Sequence, residues 1–297
     1  MAFAIITAIL FAFSAVFNTR ITKLLDEISA NFYRLLIACV ILGCLTAVFH
    51  PGSFHPHASL WLALSGMIGF GIGDIALFAA LSRIGSRLTI LIIFSLSAIV
   101  GACSDYLFLS DPIGLWECGA IILILGGLAI ALLSSEGPEL RQGSFRVGII
   151  AALLAGIGQG IGVSISRHAE IIAESSGVTI NGLSQAFQRV SAGLLCLALV
   201  WMWKRTRGKL SQAKSTRCTI AKWLILAAIS GPVLGVSCLQ QSLKTLTSGE
   251  AMAVTATSPL LLIPLAYLFE GERIRPLSLF GACLGVGGVI VMALVRS

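Results

Sequence analysis

Asp74 closes the stretch GMIGFGIGD, residues 66–74, inside an apolar run from Leu60 to Leu81. A carboxylate in such a run is costly, so it marks a place where a solute, a proton or a partner charge is held. Arg34 is the obvious partner on another segment. Arg189 is a second basic residue inside an apolar segment, and Asp105 a second acid, in CSDYLF. Gln159 sits among glycines in AGIGQGIGVS, and Gln240 and Gln241 close a third apolar run. An amide there can hold an amino or carboxyl group, or bond across to a neighbouring helix. Phe11, Ser14 and Asn18 recur at i, i+3 and i+7, one face of a helix. Phe78 falls one turn after Asp74 on the same face. Ser95, Ser97, Thr255, Thr257 and Ser258 add hydroxyls that line a cavity or bond back to their own helix.

Gly71-Ile72-Gly73-Asp74 spells GxGD and resembles the aspartate motif of the intramembrane aspartyl proteases. That chemistry needs two aspartates sharing one proton, with an earlier YD. Here Asp105 comes later and precedes Tyr106. Gly69 and Gly73 also recur, as shown below, without an acid. Close helix packing explains them better, and the chain is expected not to be an enzyme.

These residues need a membrane scaffold. The chain has 297 residues, 57% hydrophobic and 11% charged, with mean hydropathy +0.97. No soluble domain hides that much apolar surface. Ten apolar segments lie near 2–18, 29–49, 60–81, 88–109, 114–134, 147–166, 178–203, 221–243, 249–269 and 276–295, each long enough to be read as a crossing. The first is read as a retained span, since it lacks a positive leader. The net charge of +7 lies mostly between spans, so it reads as a topology signal and not as a nucleic-acid surface. The eight cysteines form no CxxC pair, and neither a disulfide framework nor a zinc site is expected. His50, His55 and His57 lie in a proline-rich loop without a metal-binding frame. Five tryptophans near span ends, Trp61, Trp116, Trp201, Trp203 and Trp223, are expected to anchor at the membrane interface.

The halves repeat. LWLALSGMIGFGIGD aligns with KWLILAAISGPVLGV, pairing Trp61 with Trp223, Gly69 with Gly231 and Gly73 with Gly235. Asp74 then pairs with Val236. ANFYRLL aligns with QAFQRVS, pairing Arg34 with Arg189, and Gly126-Gly127 aligns with Gly287-Gly288. The domains expected are 1–135 and 146–297, joined by a polar linker. Five spans per half make the second half insert upside down, the inverted repeat common in secondary transporters. Most Lys and Arg follow odd-numbered spans, above all the loop from Lys204 to Lys222, while Arg167, Lys244 and Arg296 lie on the other side. The positive-inside rule then places both termini outside the cytoplasm of a cell membrane.

The stretch from Ser248 to Leu294 resembles the end of an EamA domain, the repeat unit of the ten-helix drug/metabolite transporter superfamily. Its marks are a small-residue start, Pro259 in mid-span, an acidic end at Glu270 and Glu272, and a glycine-rich last helix. Ser97 and Asp111 hold the corresponding places in the first half, and Arg34 and Arg189 resemble the family's arginine early in the second helix of each repeat. The resemblance implies an all-α protein whose spans 1, 3, 4, 6, 8 and 9 enclose a central cavity, with spans 5 and 10 peripheral. It also implies an exporter of small metabolites such as amino acids, with nucleotide sugars or cationic drugs as alternatives. Asp74 is the expected charged contact, Gln159 and Gln240 give polar specificity, and Asn18, Ser14, Ser97, Phe11 and Phe78 complete the site. Protons are a candidate coupling ion. No cofactor, metal or nucleic acid is expected, and the oligomeric state stays open.

Overall fold

The computed structural model describes residues 1–50, 52–110, 114–116, 119–120, 122–123, 126–127, 130, 142–208, 216–259, 261 and 276–295. Among them every regular element is helical. The first half gives α1 (Ala2–Leu24), α2 (Glu27–Phe49), α3 (Pro56–Gly66), a π-helical segment π1 (Met67–Gly73) and α4 (Asp74–Leu109). The second gives α5 (Gln142–Ser175), α6 (Gly182–Thr206), α7 (Arg217–Ala228), a second π segment π2 (Ile229–Gly235), α8 (Val236–Ser242), α9 (Ser248–Thr255) and α10 (Pro276–Val295).

Local chemistry sets the helix starts. Asp26 caps α2 by accepting from the Ser29 N–H, and Asn181 caps α6 by accepting from Leu183. His55 caps α3, with Pro56 at its first turn where a missing N–H costs nothing. Thr247 and Glu250 form a reciprocal capping box at α9.

Six helical stretches of the described residues are long and apolar enough to cross a membrane. Pro56–Leu109 runs 54 residues, about 80 Å if straight, against a hydrocarbon core of about 30 Å. Gly85 breaks it, with φ 74° and ψ 175°. The sequence places a span boundary at this point, between 81 and 88. Span 5, Asp111, Pro264, Glu270, Glu272, Arg273 and Arg275 lie wholly or largely outside the described residues. The last residues of the expected linker, from Gln142, belong to α5.

The packing pattern is unchanged when the two halves are exchanged. α1 packs on α7 and π2, α5 packs on α3 and π1, and α2 packs on α6. The interleaved glycines of α5 serve both of its neighbours. A methyl group on Gly160 would lie 2.7 Å from Val100 Cβ of α4, and one on Gly158 would lie 3.3 Å from Gly73 Cα of π1. Lys, Glu or even Ala at these places would push the helices apart. Large side chains such as Val40, Leu107, Leu195 and Leu199 point outward, as lipid-facing residues do.

One tryptophan departs from expectation. Trp201 is buried, stacks on Phe32 at 4.6 Å and donates its indole N–H to Ser29 Oγ at 3.3 Å. It is a packing residue between α2 and α6, because its indole has found an aromatic face and an acceptor inside the protein. Trp61, Trp116 and Trp203 remain exposed.

Candidate functional site

Two backbone irregularities frame the centre. π1 and π2 are each seven residues long and fall at matching repeat positions, so that Gly69 and Gly231 are the third residue of each and Gly73 and Gly235 the last. In π2, Pro232 lacks the N–H that an α-helical ladder would use. π segments of this kind bulge outward and often occur at functional sites.

Each repeat's arginine reaches the other repeat's π segment. The Arg34 guanidinium lies against Gly231, where an added methyl would sit 3.4 Å from it, and the Arg189 guanidinium lies against Gly69, at 3.2 Å by the same measure. Glycine leaves the room that each guanidinium occupies. Arg34 donates to Asp74 Oδ2 and, at 2.9 Å, to Asn31 Oδ1. Its guanidinium also sits over the Phe78 ring at 4.9 Å. Asp74 is 1% exposed and Arg34 3%, so this is a buried ion pair.

Arg189 is 1% exposed and has a different environment. Its guanidinium lies over the Phe70 ring at 5.3 Å. Asp74 attracts it electrostatically, but the Asp74 hydrogen bond goes to Arg34. Arg189 Nε has no hydrogen-bond partner among the described residues.

A cavity of about 50 Å³ opens among these groups. Both repeats line it. Of the residues expected from the sequence, Phe11, Ser14, Asn18, Asp74 and Gln159 are brought together here. Asn18 Nδ2 donates to Ser14 Oγ at 3.3 Å, and Phe11 stacks on Phe94 at 5.5 Å. The other three expected residues lie outside the lining. Phe78 is buried beneath Arg34. Ser97 is buried and its hydroxyl donates to the Phe94 carbonyl at 3.2 Å. Gln240 is fully buried, and neither amide atom has a hydrogen-bond partner among the described residues.

The sequence places Arg189 inside an apolar segment without assigning it to the site, and it marks neither Phe70 nor Phe94. A signal for Arg189 was present. Val236 stands at the place of Asp74, so the second repeat offers its arginine no equivalent acid. Nothing comparable marks Phe70 or Phe94 among so many apolar residues.

Asp105 belongs to a separate network. It accepts from Ser164 Oγ at 2.6 Å, from Arg167 Nη1 at 2.8 Å and from the Ser248 N–H at 2.8 Å. It is not among the cavity's lining residues. The two aspartates therefore do not form a proton-sharing dyad. Nearby, Glu170 pairs with Lys244 at 2.9 Å and accepts from Gln185.

Comparison with known proteins agrees with this architecture. A solved crystal structure, 16% identical in sequence, superposes with a TM-score of 0.70 over 98% of this chain and 96% of its own. That likeness speaks to the fold. No curated protein matches the chain. The EamA-like transporter family matches it twice, over residues 1–133 and 146–294. Two such repeats in a chain with six membrane-length apolar helices among its described residues make a multi-pass membrane protein of the drug/metabolite transporter type, and this chain belongs to the EamA-like transporter family.

Proposed function

We propose that this chain is a secondary transporter that exports small metabolites such as amino acids across a cell membrane. In this reading ten spans form two inverted repeats, 1–135 and 146–297, with both termini outside the cytoplasm. The halves rock to expose the central cavity to each side in turn. The observation that carries the proposal is the cavity itself. It lies where both repeats meet, and it combines an acid, two guanidiniums and the Gln159 amide with the aromatic walls Phe11, Phe70 and Phe94.

That mixture suits a solute with charged ends and an apolar body. An amino group can replace Arg34 on Asp74, so that binding frees Arg34 and loosens its hold on Gly231 of the other repeat. Asn18, Ser14 and Gln159 supply weaker polar contacts. Gln240, Phe78 and Ser97 act from behind the wall. Protons are the coupling ion that a buried carboxylate allows. The direction, export, follows from resemblance to the superfamily.

The test is flux through purified protein in liposomes, with a panel of amino acids, nucleotide sugars and organic cations. Asp74→Asn is expected to alter flux while the protein stays folded. Unchanged flux at several pH values would remove Asp74 from the site.

A further inference from the structure

We propose that Arg189 is the anion-binding group of this cavity, and that its ligand is the carboxylate of the transported solute. The inference rests on the transport reading above and names the class of solute within it.

Among the described residues three charged groups line the cavity, Arg34, Asp74 and Arg189. One acid faces two bases, an excess of one positive charge among these groups. Asp74 gives its hydrogen bond to Arg34, and Arg34 uses Asn31 as well. Among the described residues Arg189 donates no hydrogen bond and its Nε is unpartnered, although only 1% of its surface is exposed; Asp74 attracts it only at a distance. A buried guanidinium without an anion is strongly disfavoured. The ring of Phe70 compensates part of this through its π face but accepts no conventional hydrogen bond. The remaining donors await an acceptor, and a carboxylate meets a guanidinium through two parallel N–H···O bonds.

The surroundings fit such a ligand. Gly69 keeps the space beside Arg189 free, since a side chain there would begin 3.2 Å from the guanidinium and 4.0 Å from Gln159 Oε1. Arg189 and Gln159 thus converge on one spot; the Gln159 atom nearest to it is Oε1, which suits a protonated amino group beside the carboxylate, and the amide must turn over to donate to the anion itself. Gly162 of α5 borders the guanidinium too, at 3.4 Å by the same measure. The excess charge disfavours organic cations.

The same preparation used for flux tests this directly. Uptake of radiolabelled amino acids into proteoliposomes is measured against four unlabelled competitors: the free acid, its methyl ester, the matching alkyl phosphate, and tetraethylammonium. The free acid is expected to compete at least tenfold better than the ester, and tetraethylammonium not at all. Arg189→Gln is expected to raise KM for the acid at least tenfold and to erase its advantage over the ester. Arg189→Lys should recover part of that loss. If Arg189→Gln does not fold, the acid-to-ester comparison on the unaltered protein decides alone. Equal competition by acid and ester, or an unchanged KM in Arg189→Gln, overturns the proposal while transport stands. Better competition by the phosphate overturns the assignment to a carboxylate. Absence of flux for every solute defeats the transport reading and this inference together.

Discussion

The segment Met67–Asp74 and its counterpart Ile229–Val236 share a backbone and differ in charge. Both are seven-residue π segments followed directly by α-helix, with glycine at the third and seventh positions. Both receive a guanidinium from the opposite repeat. The first ends on Asp74 and the second on Val236, and where the first has Phe70 the second has Pro232. The shared part is therefore scaffold: glycines that let helices and guanidiniums come close. The unshared part is chemistry. Both arginines lie over an aromatic ring, but only Arg34 is paired with an acid, so a symmetric frame holds an asymmetric field.

Making the two segments alike should do the most damage. Asp74→Val copies the second repeat into the first and leaves Arg34 buried without its acid. Breaking a buried pair from one side costs about 3–5 kcal/mol, so thermal unfolding in detergent should shift down by many degrees. A shift within the error of the measurement would mean that the pair contributes nothing to stability. A smaller effect separates the two final glycines. A methyl at position 235 would meet the Phe11 ring at 2.6 Å and the Ser230 carbonyl at 2.7 Å, whereas at position 73 the nearest atom is the Ile68 carbonyl at 3.3 Å. Overpacking of that kind costs about 1–3 kcal/mol. Gly235→Ala should thus be clearly less stable than Gly73→Ala, and the reverse order would show that the halves are not packed as described. The smallest effect carries the opposite sign. Gln240 stands at the repeat position of Phe78 and is buried, with both amide atoms unbonded among the described residues. Gln240→Leu should be neutral or stabilising by about 1 kcal/mol. A large loss of stability would reveal a partner for that amide.

Much of this comparison is legible in the chain itself. The alignment of Trp61 with Trp223 already puts both glycine pairs in register, and it already shows Val236 opposite Asp74. The pairing of Arg34 with Asp74 follows from the rarity of charge in such segments. The π geometry does not follow. A hydrogen-bond ladder slips by one residue according to what packs around it, and periodicity looks the same on either side of the slip. Phe78 shows a second limit. It does lie on the helical face of Asp74, but Arg34 covers that face, and coverage depends on a residue 44 positions away. Trp201 shows a third, since its indole near a span end could meet headgroups or Phe32 with equal chemical sense.

Asp105 carries a consequence of its own. It lies in the first repeat, while Ser164, Arg167 and Ser248, its three donors, all lie in the second. Losing any one of these donors would leave a buried carboxylate short of a partner, which costs more than the bond itself is worth. One side chain of the first repeat thus clasps two helices of the second at that end of the molecule.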